Sequence, residues 1–138
     1  MTTVSITADF EVGAERLWQV VADFGNVSWI PGMTDVAVEG PGPGMTRFLP
    51  AGDGPIHERL EAIDDAARRL EYSIPENIPF AVTDYRATMQ VSDSEAGSRL
   101  VWSCECTPDG ISEDEARATI EGLYQMMAGW IRDHLAKG

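Results

Sequence analysis

Glu58 is the residue whose setting most invites chemistry. Along residues 56–63 the side chains alternate, with Ile56, Glu58, Leu60 and Ala62 on one face and His57, Arg59, Glu61 and Ile63 on the other. The first set is apolar apart from Glu58, so this carboxylate is expected to point inward. A carboxylate among apolar neighbours needs a partner, a water or a retained proton. Glu58 is therefore the candidate catalytic acid/base, and the alternative is a hydrogen-bonded wall residue. Tyr72, Tyr85 and Tyr124 could orient a polar group through their hydroxyls, or supply aromatic packing alone. On the strand around Tyr85, polarity makes Tyr85, Ala87, Met89 and Val91 the inner face, against Asp84, Arg86, Thr88 and Gln90.

The other reactive residue types offer less. Cys104 and Cys106 stand two apart on one strand face, where Cα atoms lie about 6.5–7 Å apart, at the far end of disulfide geometry. They are expected to be reduced, packed thiols. His57 and His134 have neither metal-ligand spacing nor a motif for a base. The acid run at 113–115 reads as the start of a helix. Gly40, Gly42 and Gly44 alternate with Pro41 and Pro43, which lack the amides that a phosphate-cradling loop requires. No metal and no cofactor is expected.

The elements that must position these groups follow from periodicity. Residues 4–10 alternate as a half-buried strand. Ala14, Leu17, Trp18, Val20, Val21 and Phe24 recur at helical spacing, and residues 26–32 read as a second short helix. Strands are then predicted at 35–39, 45–49, 56–63, 69–74, 82–92 and 99–107, separated by Gly- and Pro-rich turns and by loops at 50–55 and 75–79. On the last strand, polarity favours Leu100, Trp102, Cys104 and Cys106 as the inner set. Ser112 with Glu115 three residues on is a capping box. It opens a long helix whose apolar stripe is Ala116, Thr119, Ile120, Leu123, Met126 or Met127, Trp130 and Ile131. The stripe Leu123–Met127–Trp130 reads as core unless a void lies beneath it. The whole is one α+β domain over residues 1–138: a seven-stranded antiparallel sheet packed on one long helix.

Composition narrows the partners. The 138 residues suit one domain, typically about 100–150 residues. With 23 acidic against 10 basic residues the net charge is −13, which argues against nucleic acid and anionic membranes as partners. No apolar run approaches the roughly 18 residues of a membrane span, so no membrane insertion is expected. The first residues lack the basic and apolar regions of a secretory signal, and a cytoplasmic location is expected. Exposed strands leave room for a homodimer.

Several strings are familiar in order and spacing. Glu15-Arg16-Leu17-Trp18, followed by Trp29-Ile30-Pro31, resembles the start of polyketide cyclase/dehydrase-type members of the START-like (SRPBCC, birch-pollen-allergen fold) superfamily. Tyr85-Arg86-Ala87-Thr88 and Trp102 with Pro108-Asp109-Gly110 look like that family's last hairpin and approach to the helix. The resemblance implies a helix-grip fold, in which the curved sheet wraps the C-terminal helix around an apolar cavity for lipid- or polyketide-like molecules. The chain is also similar to plant abscisic-acid receptors: Leu49, Pro50 and Ala51 match the core of their gate loop, and Glu58-Arg59-Leu60-Glu61 the strand after it. Carried over, the receptors' pocket contacts fall on Glu58, Tyr72, Tyr85, Ala87, Thr119, Leu123 and Met127. Arg47-Phe48 replaces the gate's Ser-Gly, the latch histidine is missing, and residues 35–39 hold no lysine for a ligand carboxylate. These departures imply a guest more apolar than abscisic acid. Alignment to the receptors would turn Val101, Ser103 and Glu105 inward on the last strand, against polarity, and a bulge would reconcile the two.

Three functions are open, in this order. The first is binding of a small hydrophobic ligand between sheet and helix, with Met89 and Trp102 joining the residues above. The second is a cyclase or dehydratase with Glu58 as acid/base and Tyr72 or Tyr85 as donors. The third is a module whose gate closes over ligand and meets a protein partner.

Overall fold

Alternation at the N-terminus becomes the strand β1 (Thr2–Phe10), in which every second side chain, from Thr2 to Phe10, is buried. The computed structural model describes residues 1–33, 36–52 and 54–137. After β1 come the helix α1 (Ala14–Ala22), then β2 (Ala37–Glu39), β3 (Thr46–Leu49), β4 (Ile56–Asp64), β5 (Arg69–Glu76), β6 (Val82–Ser94), β7 (Gly97–Pro108) and the helix α2 (Glu113–Ala136). The strands form one seven-stranded sheet in the order β1-β7-β6-β5-β4-β3-β2, and every neighbouring pair is antiparallel. This is the helix-grip arrangement that the resemblance implies.

The second short helix is replaced by turns. Ile30 N–H donates to Val27 C=O at 2.8 Å and Met33 N–H to Ile30 C=O at 3.1 Å, single i→i+3 bonds that Pro31 and Gly32 do not let continue. Gly32 sits at φ +82°, a conformation that ends a helical run. Asp35, the expected first residue of the second strand, and Asp53, within the 50–55 loop, lie outside the described residues.

Three register shifts interrupt the sheet, the first between His57 and Arg59, where β5 advances three residues and β4 two. On β4 the register shifts again between Leu60 and Ala62, where β5 advances one residue and β4 two. Ala62, expected inside, therefore stands opposite Glu71, while Ile63 stands opposite buried Leu70 and packs against the core. On β6 the shift falls between Thr83 and Arg86, around Asp84 at φ +54°. Strict alternation would put Val82 on the outer face with Asp84. The surplus residue lets Val82 and Tyr85 both be buried. β7 pairs with β6 without a shift from Glu105 to Gly97, so it needs no bulge: Leu100, Trp102, Cys104 and Cys106 are inside, and Glu105 is exposed.

The Ser112 cap forms, but the carboxylate that reaches back takes the hydroxyl rather than the Ser112 N–H, so the box is half made. Ser112 Oγ accepts from Glu115 N–H at 3.1 Å, and the Glu115 carboxylate accepts from the Ser112 hydroxyl at 3.3 Å. α2 then presents two adjacent stripes. Ala116, Ile120, Tyr124, Ala128, Ile131 and Leu135 recur at i+3 and i+4 and are buried against the sheet. Thr119, Leu123, Met126, Met127 and Trp130 lie beside them and are less covered. Two stripes rather than one is the signature of a helix that bounds a space.

Candidate ligand-binding site

The second stripe faces a cavity of about 530 Å³. One wall is α2, through Thr119, Leu123, Tyr124, Met127 and Trp130; the opposite wall is the sheet, through Leu49, Ile56, Glu58, Tyr72, Ile74 and Tyr85. Ile30 and Met33 from the turns after α1, and Pro79 and Phe80 from the loop after β5, complete it. The loops after β3 and β5 are tied together where the Asn77 side chain donates to the Pro55 carbonyl at 2.7 Å. Asn77 makes that bond from φ +60°, a conformation that Asn adopts more readily than most residues.

Glu58 does point inward, and its partner is Arg47. The β3–β4 register sets the two directly opposite one another, so their side chains share a face. Arg47 Nε donates to Glu58 Oε1 at 2.8 Å and Nη2 lies 2.7 Å from the same oxygen. Nη1 donates to the Phe24 carbonyl at 2.9 Å, and the guanidinium lies over the Phe24 ring, 3.9 Å from its centroid. Buried charges persist when paired and hydrogen-bonded, and Arg47 supplies both. The sequence reading treats Arg47 only as a departure from the receptor gate. Its signal was parity: once Leu49 is inside, Arg47 two residues earlier shares its face.

Beyond Glu58 the polar groups form a chain. The Trp102 indole N–H donates to the Tyr72 hydroxyl at 3.1 Å, and the Tyr72 and Tyr85 hydroxyls are 3.4 Å apart. The Tyr85 hydroxyl is in turn hydrogen-bonded to that of Tyr124. All three tyrosines of the chain thus meet in one place. Tyr124 stacks on Trp102 with centroids 4.7 Å apart and planes 13° apart. Burial pushes the Tyr72 hydroxyl well above its ordinary pKa, and the Glu58 charge adds to the shift. Burial likewise raises Tyr85 and Tyr124, with their neighbours' hydroxyls as the next cause. The Cys104 thiol is pushed up to about 12 by burial. Each of these groups is therefore neutral at neutral pH.

The expected site residues divide into two groups. Glu58, Tyr72, Tyr85, Thr119, Leu123, Met127 and Leu49 line the cavity. Ala87, Met89 and Trp102 do not; they are buried in the core beyond it, and Trp102 reaches the site only through its bond to Tyr72. Pro50 and Ala51 are exposed and off the wall. The stripe Leu123–Met127–Trp130, read as core unless a void lies beneath it, borders the cavity, which is that void. Ile30, Met33, Pro79 and Phe80 were not foreseen, since long-range closure of loops over the sheet leaves no local periodicity; Ile74, also unforeseen, stands two residues from Tyr72 on β5, where alternation carries the signal. His57 packs on Phe48, with ring centroids 4.7 Å apart, away from the cavity. Among the described residues no group of three potential metal ligands gathers, and no helix is long and apolar enough to cross a membrane.

Known proteins place this architecture. No curated protein gives a match to the chain. Among solved structures, the chain is similar to XoxI from Bacillus cereus, at 29% identity over 97% of this chain and 95% of that one, with a TM-score of 0.82. A Thermobifida fusca protein solved in solution is similar at 25% identity over 99% and 95% of the two chains, with a TM-score of 0.83. Ara h 8.0201, at 18% identity over 99% and 98% and a TM-score of 0.78, shares the fold. The family model described as polyketide cyclase / dehydrase and lipid transport matches residues 1–135. The chain therefore belongs to the polyketide cyclase / dehydrase and lipid transport family, within the START-like superfamily.

Proposed function

We propose that this protein binds a small hydrophobic, lipid- or polyketide-like molecule in the cavity between sheet and α2. The observation that carries the reading is a space of about 530 Å³ with a mostly apolar lining, in which Glu58, Tyr72, Tyr85, Tyr124 and Thr119 are the polar side chains among the described residues. That size and polarity suit a small-molecule site, where a few placed polar groups fix orientation. The loop containing Leu49, Pro50 and Ala51, tied to the loop after β5 by Asn77, is the doorway in this reading. A reducing, cytoplasmic setting suits Cys104 and Cys106, which are buried and unpaired. Native mass spectrometry of protein purified from its own host tests the proposal. A copurifying apolar molecule is expected, and Leu123→Trp, which fills the cavity, is expected to lose it while keeping the wild-type circular dichroism. Retention of the same molecule by the filled variant would place its site elsewhere.

A second reading, a cyclase or dehydratase, is supported by the position of Glu58 on the cavity wall beside Tyr72. There a carboxylate can accept a proton from a bound chain held in a reactive fold. Full turnover by Glu58→Gln on an identified substrate would exclude it.

A further inference from the structure

The polar end of the cavity is one-sided in its hydrogen-bonding capacity. Among the described residues Glu58 is the one charged side chain on the wall. Arg47 is not part of that wall, and each of its three nitrogens is already engaged: Nε and Nη2 with Glu58 Oε1, Nη1 with the Phe24 carbonyl. An ionised carboxylate accepts hydrogen bonds and donates none.

The wall's hydroxyls are in a similar state. An indole N–H can only donate, so the Tyr72 oxygen must accept from Trp102. The Tyr72–Tyr85 and Tyr85–Tyr124 bonds can each run in either direction; run head to tail from Trp102, the Tyr72 proton goes to Tyr85, the Tyr85 proton to Tyr124 and the Tyr124 proton toward the Cys104 sulfur. Thr119 spends its proton within α2, donating to the Glu115 carbonyl at 2.9 Å. In that arrangement Tyr72, Tyr85 and Thr119 offer a guest lone pairs.

We infer that this wall is an acceptor surface, selecting an apolar molecule whose buried end donates hydrogen bonds, such as an alcohol or phenol, and turning away carboxylate-ended molecules. The inference rests on the cavity being a binding site. A guest carboxylate would meet Glu58 as a like charge, with no cation on the wall among the described residues to balance it. A guest hydroxyl would meet Glu58 Oε2, which no donor among the described residues engages, both Arg47 contacts being to Oε1. Sites built for a hydrogen bond discriminate strongly against a molecule that cannot complete it.

Two rigid bicyclic probes, β-naphthol and β-naphthoate, differ in this one respect, and calorimetric titration at neutral pH compares them. The wild-type protein is expected to bind β-naphthol at least about tenfold more tightly than β-naphthoate. Glu58→Gln is expected to shrink that ratio below about threefold, mainly by improving β-naphthoate. Because Glu58→Gln strips the buried Arg47 cation of its partner, Arg47→Met combined with Glu58→Gln is the second test, and it must shrink the ratio as well. Equal or tighter binding of β-naphthoate by the wild type would overturn the acceptor surface while leaving the cavity a binding site. Binding of neither probe would overturn both.

Discussion

Glu58 and Glu61 are three residues apart on β4, each paired with an arginine, and the two pairs have opposite physics. Arg47–Glu58 is inside, with side chains 8% and 11% exposed. Arg59–Glu61 is outside, with side chains 46% and 22% exposed. Outside, Glu61 shares its oxygen with the Ser73 hydroxyl, which is the main cause of its lowered pKa. Water solvates that pair in every state, so making or breaking it changes little. Inside, the pair exists because neither charge could be buried alone. The difference teaches that the number of ion pairs on this sheet says nothing about their weight; the face they occupy decides it.

The largest expected effect breaks the inner pair from one side. Arg47→Met, leaving Glu58 buried without its cation, is expected to cost about 3–5 kcal/mol in urea unfolding. Pairing it with Glu58→Leu should recover most of that loss, since the cost lies in the orphaned charge rather than in the missing attraction. If Arg47→Met costs no more than Arg59→Met, the inside–outside contrast fails.

An intermediate effect uses the raised pKa values of Tyr72, Tyr85 and Tyr124. The folded state keeps these protons after the unfolded chain has lost them. Their contribution is therefore complete below the ordinary tyrosine value and is lost as pH rises above it. Stability should fall by roughly 2–3 kcal/mol half a unit above pH ~10, with a slope approaching about 1.4 kcal/mol per pH unit per tyrosine. Denaturant unfolding across this range measures it, and tyrosine ultraviolet absorbance should show ionisation only as the chain unfolds. An ordinary titration of the folded protein near pH ~10 would place the hydroxyls in water.

The smallest effect is outside. Glu61→Gln should cost below about 1 kcal/mol at neutral pH. Because its folded pKa is lowered, the contribution is present above the ordinary carboxylate range and disappears as pH falls through that lowered value. Wild type and variant should therefore converge in urea midpoints measured in acid. A persistent gap there would show that packing, not charge, is what Glu61 supplies.

The sequence carried much of this. Alternation in β1, β6 and β7 identified the inner face, and the Ser112–Glu115 box located the start of α2. Glu58 was legible because one charged residue broke an apolar set. Its partner was not, because pairing Arg47 with Glu58 requires the register across the 50–55 loop, and loop length alone does not fix it. The tyrosine chain was legible as three separate hydroxyls but not as a chain, which needs α2 to be laid over β5, β6 and β7. Ile63 was placed on the wrong face because a bulge leaves no mark that alternation can reveal.

Asp84 has a consequence for how this fold can tolerate change. Its exposed side chain makes no hydrogen bond among the described residues, yet it is the surplus residue that lets Val82 and Tyr85 lie on the same side of β6. Loop insertions elsewhere would alter the size of the doorway; deletion of this one residue would alter the phase of the strand. Either Val82 or Tyr85 would then rotate to the solvent side, and if it were Tyr85, the link from Tyr72 to Tyr124 would be cut at its centre. The interior wiring of the cavity is thus set by a counting rule on the outer surface, and Asp84 contributes length together with a side-chain type that adopts φ +54° more readily than most.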